Sequence, residues 1–221
     1  MSNPILNFLR PHKTVPQTPW SASARWSLTP LRTFVLFVAL FIFGLGDSLL
    51  IQSGIGNAPW SVLAQGVANR LDITMGWSTF GISTIVLLLW IPLREKPGFG
   101  TLSNIVLIAT AIQVGVSIFP ETNNYLAGIG YCLIGISMVG IGSAFYITCG
   151  LGPGPRDGLM TALHNRTGVR IGRVRLAIEG AVLALGWALG GTVGLGTLLF
   201  ALLIGQSIAI ALGVLSRITP Q

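Results

Sequence analysis

Polar residues dominate the chain up to about position 30, and long apolar runs dominate after it. Six runs approach the roughly 20 residues that cross a hydrocarbon core about 30 Å thick. They lie near 33–52, 75–93, 99–119, 125–148, 172–190 and 195–215. Two shorter segments, about 59–72 and 155–168, are bounded by Gly and Pro. Fourteen helical residues would cover only ~21 Å, too little for an ordinary span. The pattern therefore predicts an all-α membrane protein with six transmembrane helices and two additional short helices.

The pattern also repeats. Shifted by 96 residues, the chain aligns on itself without a gap. Gly44 and Gly46 fall on Gly140 and Gly142, Gly54 and Gly56 on Gly150 and Gly152, and Pro59 on Pro155. Asn69 and Arg70 fall on Asn165 and Arg166, Gly76 on Gly172, and Gly98, Gly100 and Thr101 on Gly194, Gly196 and Thr197. Leu-for-Leu matches arise from composition, but Gly, Pro, Asn and Arg at one fixed offset signal duplication. The expected organisation is a tail at 1–30, repeats at 31–121 and 122–216, and a short end at 217–221.

Charge placement sets the expected orientation. With the tail in the cytoplasm and three spans per repeat, twelve of the 13 Lys and Arg fall inside and only Arg70 falls outside. If the short helices also spanned, Arg94, Lys96 and Arg156 would move outside and Arg70 inside, a ratio of 10 to 3. The positive-inside rule favours three spans per repeat, so the second repeat is expected inverted relative to the first. Both termini are then cytoplasmic.

Composition narrows the function classes. The chain of 221 residues is 52% hydrophobic and 9% charged, with 29 Gly, whereas soluble domains carry about 25% charged residues. The formal charge of +7 is no nucleic-acid signal, because the basic residues flank apolar runs. The polar first thirty residues, with Arg10, His12, Lys13 and Arg25, show no apolar signal-peptide core. They read as a mostly unstructured tail with Trp20 and Trp26 near the headgroups. Cys132, Cys149, His12 and His164 form no metal-ligand cluster. The sequon at Asn165 falls on the expected cytoplasmic side. No Walker A, GxGxxG, HExxH or GxSxG motif is present. No enzyme activity and no cofactor are expected.

Each repeat carries a Gly-rich turn leading into a short helix. Gly54, Gly56 and Asn57 precede Pro59, and Gly150, Gly152 and Gly154 precede Pro155, Arg156 and Asp157. Proline at the first helical position leaves free N–H groups at a positive dipole end, which attracts carboxylates and other anions. Ser61, Gln65 and Asn69 recur every four residues, and their repeat mates are Asp157, Thr161 and Asn165. Such a stripe either lines a water-filled cavity between repeats, as in secondary transporters, or lies at the interface. Arg156 and Asp157 have two readings as well: a charged site at the mouth, or a capped helix start touching headgroups. The candidate substrate-binding set is thus Gly54, Gly56, Asn57, Ser61, Gln65, Gly150, Gly152, Gly154, Arg156, Asp157 and Thr161.

Two acids fall within the predicted spans, Asp47 and Glu179. Their repeat mates are Ser143 and Ser83, so the charges are not duplicated. Intramembrane acids are functional candidates, here for ion coupling. Glu179 alternatively pairs with Arg175 one turn away. Gln52, Gln113 and Gln206 are further polar candidates, or interhelical bridges. Gly186, Gly190 and Gly194 form a small-xxx-small series, for contact within a protomer or between two.

The stretch Gly150 to Met160, with Gly54 to Pro59 and Gly98 to Thr101, resembles the YczE branch of the YczE/YyaS/YitT family of bacterial membrane proteins. The resemblance covers about 31–215 and implies a multi-spanning protein of the bacterial inner membrane, without implying a substrate. Function is expected to be that of a small-solute transporter or permease. Its partners are then the lipid bilayer and a small-molecule or anionic substrate, not nucleic acid. The alternative is a non-transporting membrane partner, a regulatory scaffold or a substrate-capture subunit, as a homo-oligomer or with another membrane protein.

Overall fold

The computed structural model describes residues 14–219. Among these the regular structure is entirely helical: α1 (Pro30–Gln52), α2 (Pro59–Leu71), α3 (Met75–Leu88), α4 (Trp90–Leu93), α5 (Phe99–Ile118), α6 (Tyr125–Thr148), α7 (Pro155–Thr167), α8 (Ile171–Ala188) and α9 (Leu195–Ile218). The two Gly/Pro-bounded helices expected from the sequence are α2 and α7, of 13 residues each.

Five stretches are long and apolar enough to cross a membrane: α1, α3 with α4, α5, α6 and α9. The sixth expected span corresponds to α8, which has 18 residues and is not among the five. It carries Arg173, Arg175 and Glu179 in its first half. Its helical path is as predicted, but its apolar content is lowered by charges. Large apolar side chains such as Phe34, Ile85, Leu126, Leu176, Trp187 and Leu202 lie exposed on the helices. An aqueous surface would penalise that display, whereas lipid accepts it.

The centre of the fold is a close pair, α1 and α6, held together by glycine. A Cβ on Gly46 would stand 2.7 Å from the Gly135 carbonyl oxygen, and one on Gly142 would stand 2.6 Å from that of Ala39. Gly128 approaches the Ser53 carbonyl in the same way, at 2.7 Å. Positions 39, 46 and 53 thus meet 142, 135 and 128, so the helices run antiparallel. Small residues let the backbones approach and gain dispersion contacts that bulkier side chains would forbid.

The surrounding contacts are reciprocal. Gly100 N–H donates to the Leu151 carbonyl at 2.8 Å, and its repeat mate Gly196 donates to Ile55, the mate of Leu151, at 2.9 Å. Gly44 packs on Ala111, and its mate Gly140 packs on Ser207, the mate of Ala111. The Gly turns match in conformation too. Gly54 and Gly150 have φ of +67° and +66°, and Gly56 and Gly152 have +122° and +110°. Any residue with a Cβ is strained there. Gly56 abuts Gly194 and Thr197, just as Gly152 abuts Gly98 and Thr101. The turn of each half therefore plugs the start of the last long helix of the other half.

Residues 14–29 contain no helix or strand but are not loose. Arg32, 9% exposed, donates to the carbonyls of Trp20, Ser21 and Ser27. Trp20, expected at the headgroups, stacks on Phe145 and donates to Thr148 Oγ1 at 3.0 Å. The segment covers the ends of α1 and α6, and only Arg10, His12 and Lys13 of the tail residues singled out above lie outside the described residues.

Candidate functional site

A cavity of about 390 Å³ lies between the two halves. Its wall includes Phe43, Asp47, Trp60, Ser83, Asn104, Ile108, Val139, Ser143, Arg156, Glu179, Phe200 and Ile204. These twelve residues are six pairs of positions 96 apart: 43 with 139, 47 with 143, 60 with 156, 83 with 179, 104 with 200, and 108 with 204. Both halves build the wall from equivalent positions but with different side chains.

The short helices supply its chemistry. Pro59 and Pro155 start α2 and α7, which bring Trp60 and Arg156 together; the guanidinium sits 5.0 Å from the indole centroid. Cation–π contact of this kind anchors a guanidinium while leaving its edge free. Arg156 donates no hydrogen bond among the described residues, and it lines the cavity. Asp157 also lines the cavity, is exposed within it, and its carboxylate accepts no hydrogen bond from any described residue.

Asp47 differs. It is 2% exposed, and Ser61 Oγ donates to its Oδ2 at 2.7 Å. Its Oδ1 has no partner. An unsatisfied buried carboxylate oxygen is costly, so its persistence calls for a reason. The equivalent pair in the second half, Ser143 and Asp157, has acid and hydroxyl exchanged and makes no hydrogen bond. Glu179 accepts from Arg175 Nε at 2.9 Å on α8, the i,i+4 pairing expected from sequence, and both line the cavity.

Of the sequence candidates, the structure gathers Asp47, Gly154, Arg156, Asp157 and Glu179 at the cavity, with Ser61 behind Asp47. The others serve the scaffold. Gly54, Gly56, Gly150 and Gly152 are the positive-φ turn positions. Asn57 donates to Gln65 Oε1 at 2.8 Å, and Gln65 also accepts from Thr192 N–H at 2.7 Å, pinning the α8–α9 loop. Thr161 bonds back to its own helix at the Asp157 carbonyl. Gln52 caps the end of α5, and Gln113 accepts from Gly76 N–H. Gly186 packs on Leu63 within the protomer, and Gly190 is a turn glycine at φ +96°. Asp157 sits in the first turn of α7, but its carboxylate accepts no hydrogen bond from that turn's N–H groups, so it does not act as a hydrogen-bonding cap.

Sequence reasoning missed Trp60, Asn104, Tyr146 and Arg175 as wall residues. Trp60 and Asn104 could have been flagged as repeat partners of Arg156 and Phe200. Tyr146 carries no such signal; its hydroxyl accepts from Gly154 N–H and so fixes the α7 turn. No cluster of His, Cys, Asp and Glu among the described residues is suited to a metal ion.

Comparison with known proteins agrees with the resemblance read from the Gly/Pro turns. A family model described as a family of unknown function, DUF6198, matches residues 30–212. An uncharacterized protein of Haemophilus influenzae is 42% identical over 206 residues, covering 93% of this chain and 94% of that protein. The uncharacterized membrane protein YczE of Bacillus subtilis is 34% identical over 177 residues, covering 79% of this chain and 82% of its own. The uncharacterized protein YyaS of Bacillus subtilis is 29% identical over 186 residues, covering 81% of this chain and 92% of its own. No solved structure matches. This helical membrane protein belongs to the DUF6198 family, with YczE and YyaS among its relatives.

Proposed function

We propose that the protein is a small-solute transporter of the bacterial inner membrane, built as two inverted repeats with both termini in the cytoplasm and its site in the cavity between them. The antiparallel α1–α6 pair and the reciprocal contacts support the inverted arrangement. Two halves that exchange contacts are related by a two-fold axis, and an axis relating antiparallel spans lies in the membrane plane. Trp60 and Arg156 occupy equivalent positions and touch, which happens only near that axis. The cavity is therefore at the midline, where transporters of this construction bind.

The observation that carries the transport reading is a broken symmetry. In the first half the acid–serine pair is closed, Ser61 to Asp47, and buried. In the second half the equivalent pair is open, and Asp157 and Arg175 are exposed. Inverted repeats in unequal conformations leave a cavity closed toward one side and open toward the other. Exchanging the two conformations reverses the access. On the expected orientation the open side is the cytoplasmic one.

Purified protein in liposomes should accumulate a small solute, and Arg156→Gln should abolish that flux while preserving folding. A screen across sugars, organic acids, amines and amino acids that yields no flux above empty liposomes would refute transport. A capture subunit would instead bind solute without flux.

A further inference from the structure

The charged groups of the cavity define the ligand it can accept. Five acidic or basic side chains line it: Asp47, Asp157, Glu179, Arg156 and Arg175. Arg175 and Glu179 neutralise each other at 2.9 Å. The other three do not pair. No salt bridge joins Arg156 to either aspartate, so it lies beyond 4.0 Å from both carboxylates. An unbonded Arg156 thus lines the cavity beside the exposed, unbonded Asp157, with the 2%-exposed Asp47 carboxylate buried behind the wall.

Opposite charges kept apart in one cavity leave room for a ligand bearing both signs. A guanidinium fork matches a planar carboxylate through two parallel hydrogen bonds. An exposed carboxylate such as that of Asp157 matches an ammonium, which has three donors. A dicarboxylate or phosphate would add repulsion from two acids, and a diamine would face Arg156. An uncharged sugar would leave all three charges unpaired when the site closes. The volume of about 390 Å³ is near the small end of ligand pockets, roughly 300–1,000 Å³. Phe43, Ile108, Phe200 and Ile204 supply apolar wall for a side chain.

Building on the transport reading above, we propose that the cavity binds a zwitterionic α-amino acid with a neutral side chain. Its carboxylate lies on Arg156 and its ammonium on Asp157, with the buried charge of Asp47 behind the wall adding to the attraction.

The test is thermal unfolding of the intact protein in detergent with leucine, methionine and phenylalanine. Leucine methyl ester, N-acetyl-leucine, succinate, putrescine and glucose are the controls. Saturating amino acid should raise Tm by roughly 5 °C, and both blocked leucine derivatives should lose the shift. Arg156→Gln and Asp157→Asn should keep the unliganded circular dichroism spectrum and lose the leucine shift. Equal shifts with the blocked derivatives, or shifts only with succinate, putrescine or glucose, would overturn the proposal. So would the absence of any shift, and the paired leucine derivatives decide the matter even if a variant fails to fold. Liposome flux run in parallel separates the two claims. Binding without flux refutes transport and leaves the ligand class standing. Flux of a sugar or diacid without amino-acid binding does the reverse.

Discussion

The Ser61–Asp47 contact is the sharpest point at which to perturb the protein. Ser61→Ala deletes the one hydrogen bond that Asp47 receives, leaving both oxygens of a 2%-exposed carboxylate without a protein donor. A hydrogen bond to a charged group contributes about 1.5–3 kcal/mol, and a stranded partner loses that and its solvation. For a chain of this length ~1 kcal/mol moves Tm by about 2–4 °C, so a loss of roughly 3–12 °C is expected. The informative measurement is a double-mutant cycle of Ser61→Ala, Asp47→Ala and the pair, followed by thermal unfolding in one detergent. Once Asp47 is gone, Ser61→Ala should be nearly silent, giving a coupling of about 1.5–3 kcal/mol. Additivity within ~0.5 kcal/mol, the behaviour of independent sites, would refute the closed Ser61–Asp47 pair. As a comparison, the equivalent cycle on Ser143 and Asp157 should show little coupling, because that pair is open.

Further outcomes follow from the same geometry. Cysteines at Arg70 and Arg166, exposed repeat mates at the ends of α2 and α7, should be labelled from opposite faces of intact cells, the first from the periplasm. Native Cys132 and Cys149 are buried and should give little background, and labelling of both positions from one face would end the inverted model. Gly142→Leu should abolish folding, seen as loss of the monodisperse detergent peak, because even a Cβ there stands 2.6 Å from the Ala39 carbonyl. Gly130→Ala, where a Cβ meets nothing within 4 Å, should leave that peak intact. Thr101→Val should lower stability by about 1 kcal/mol in thermal unfolding, since Thr101 Oγ1 donates to the Pro153 carbonyl at 2.8 Å and ties α5 to the opposite turn.

The candidate site was partly legible before the fold was known. An acid inside an apolar run stands out, so Asp47 and Glu179 are visible in the sequence as candidates, and both line the cavity; helical spacing alone pairs Glu179 with Arg175. The Gly/Pro turns were read as binding elements, yet four of their glycines serve backbone geometry and interhelical contact. The polar stripe on α2 was split by the fold. Ser61 turns to Asp47, whereas Gln65 and Asn69 hold the 190–192 segment. Sequence spacing shows which residues share a helix face, but not what that face meets.

Chain order alone determined the long helices, the two short helices and the duplication at an offset of 96, because each is written in local apolar runs, Gly/Pro punctuation or fixed spacing. Which equivalent positions face each other was decided only by tertiary structure. Antiparallel packing of α1 on α6 carries residues 60 and 156 into contact and makes a wall from pairs far apart in sequence. It also decided which acid is bonded and which is free. Two halves with nearly the same local pattern make different side-chain contacts at the cavity, because their side chains meet each other across it rather than along the chain.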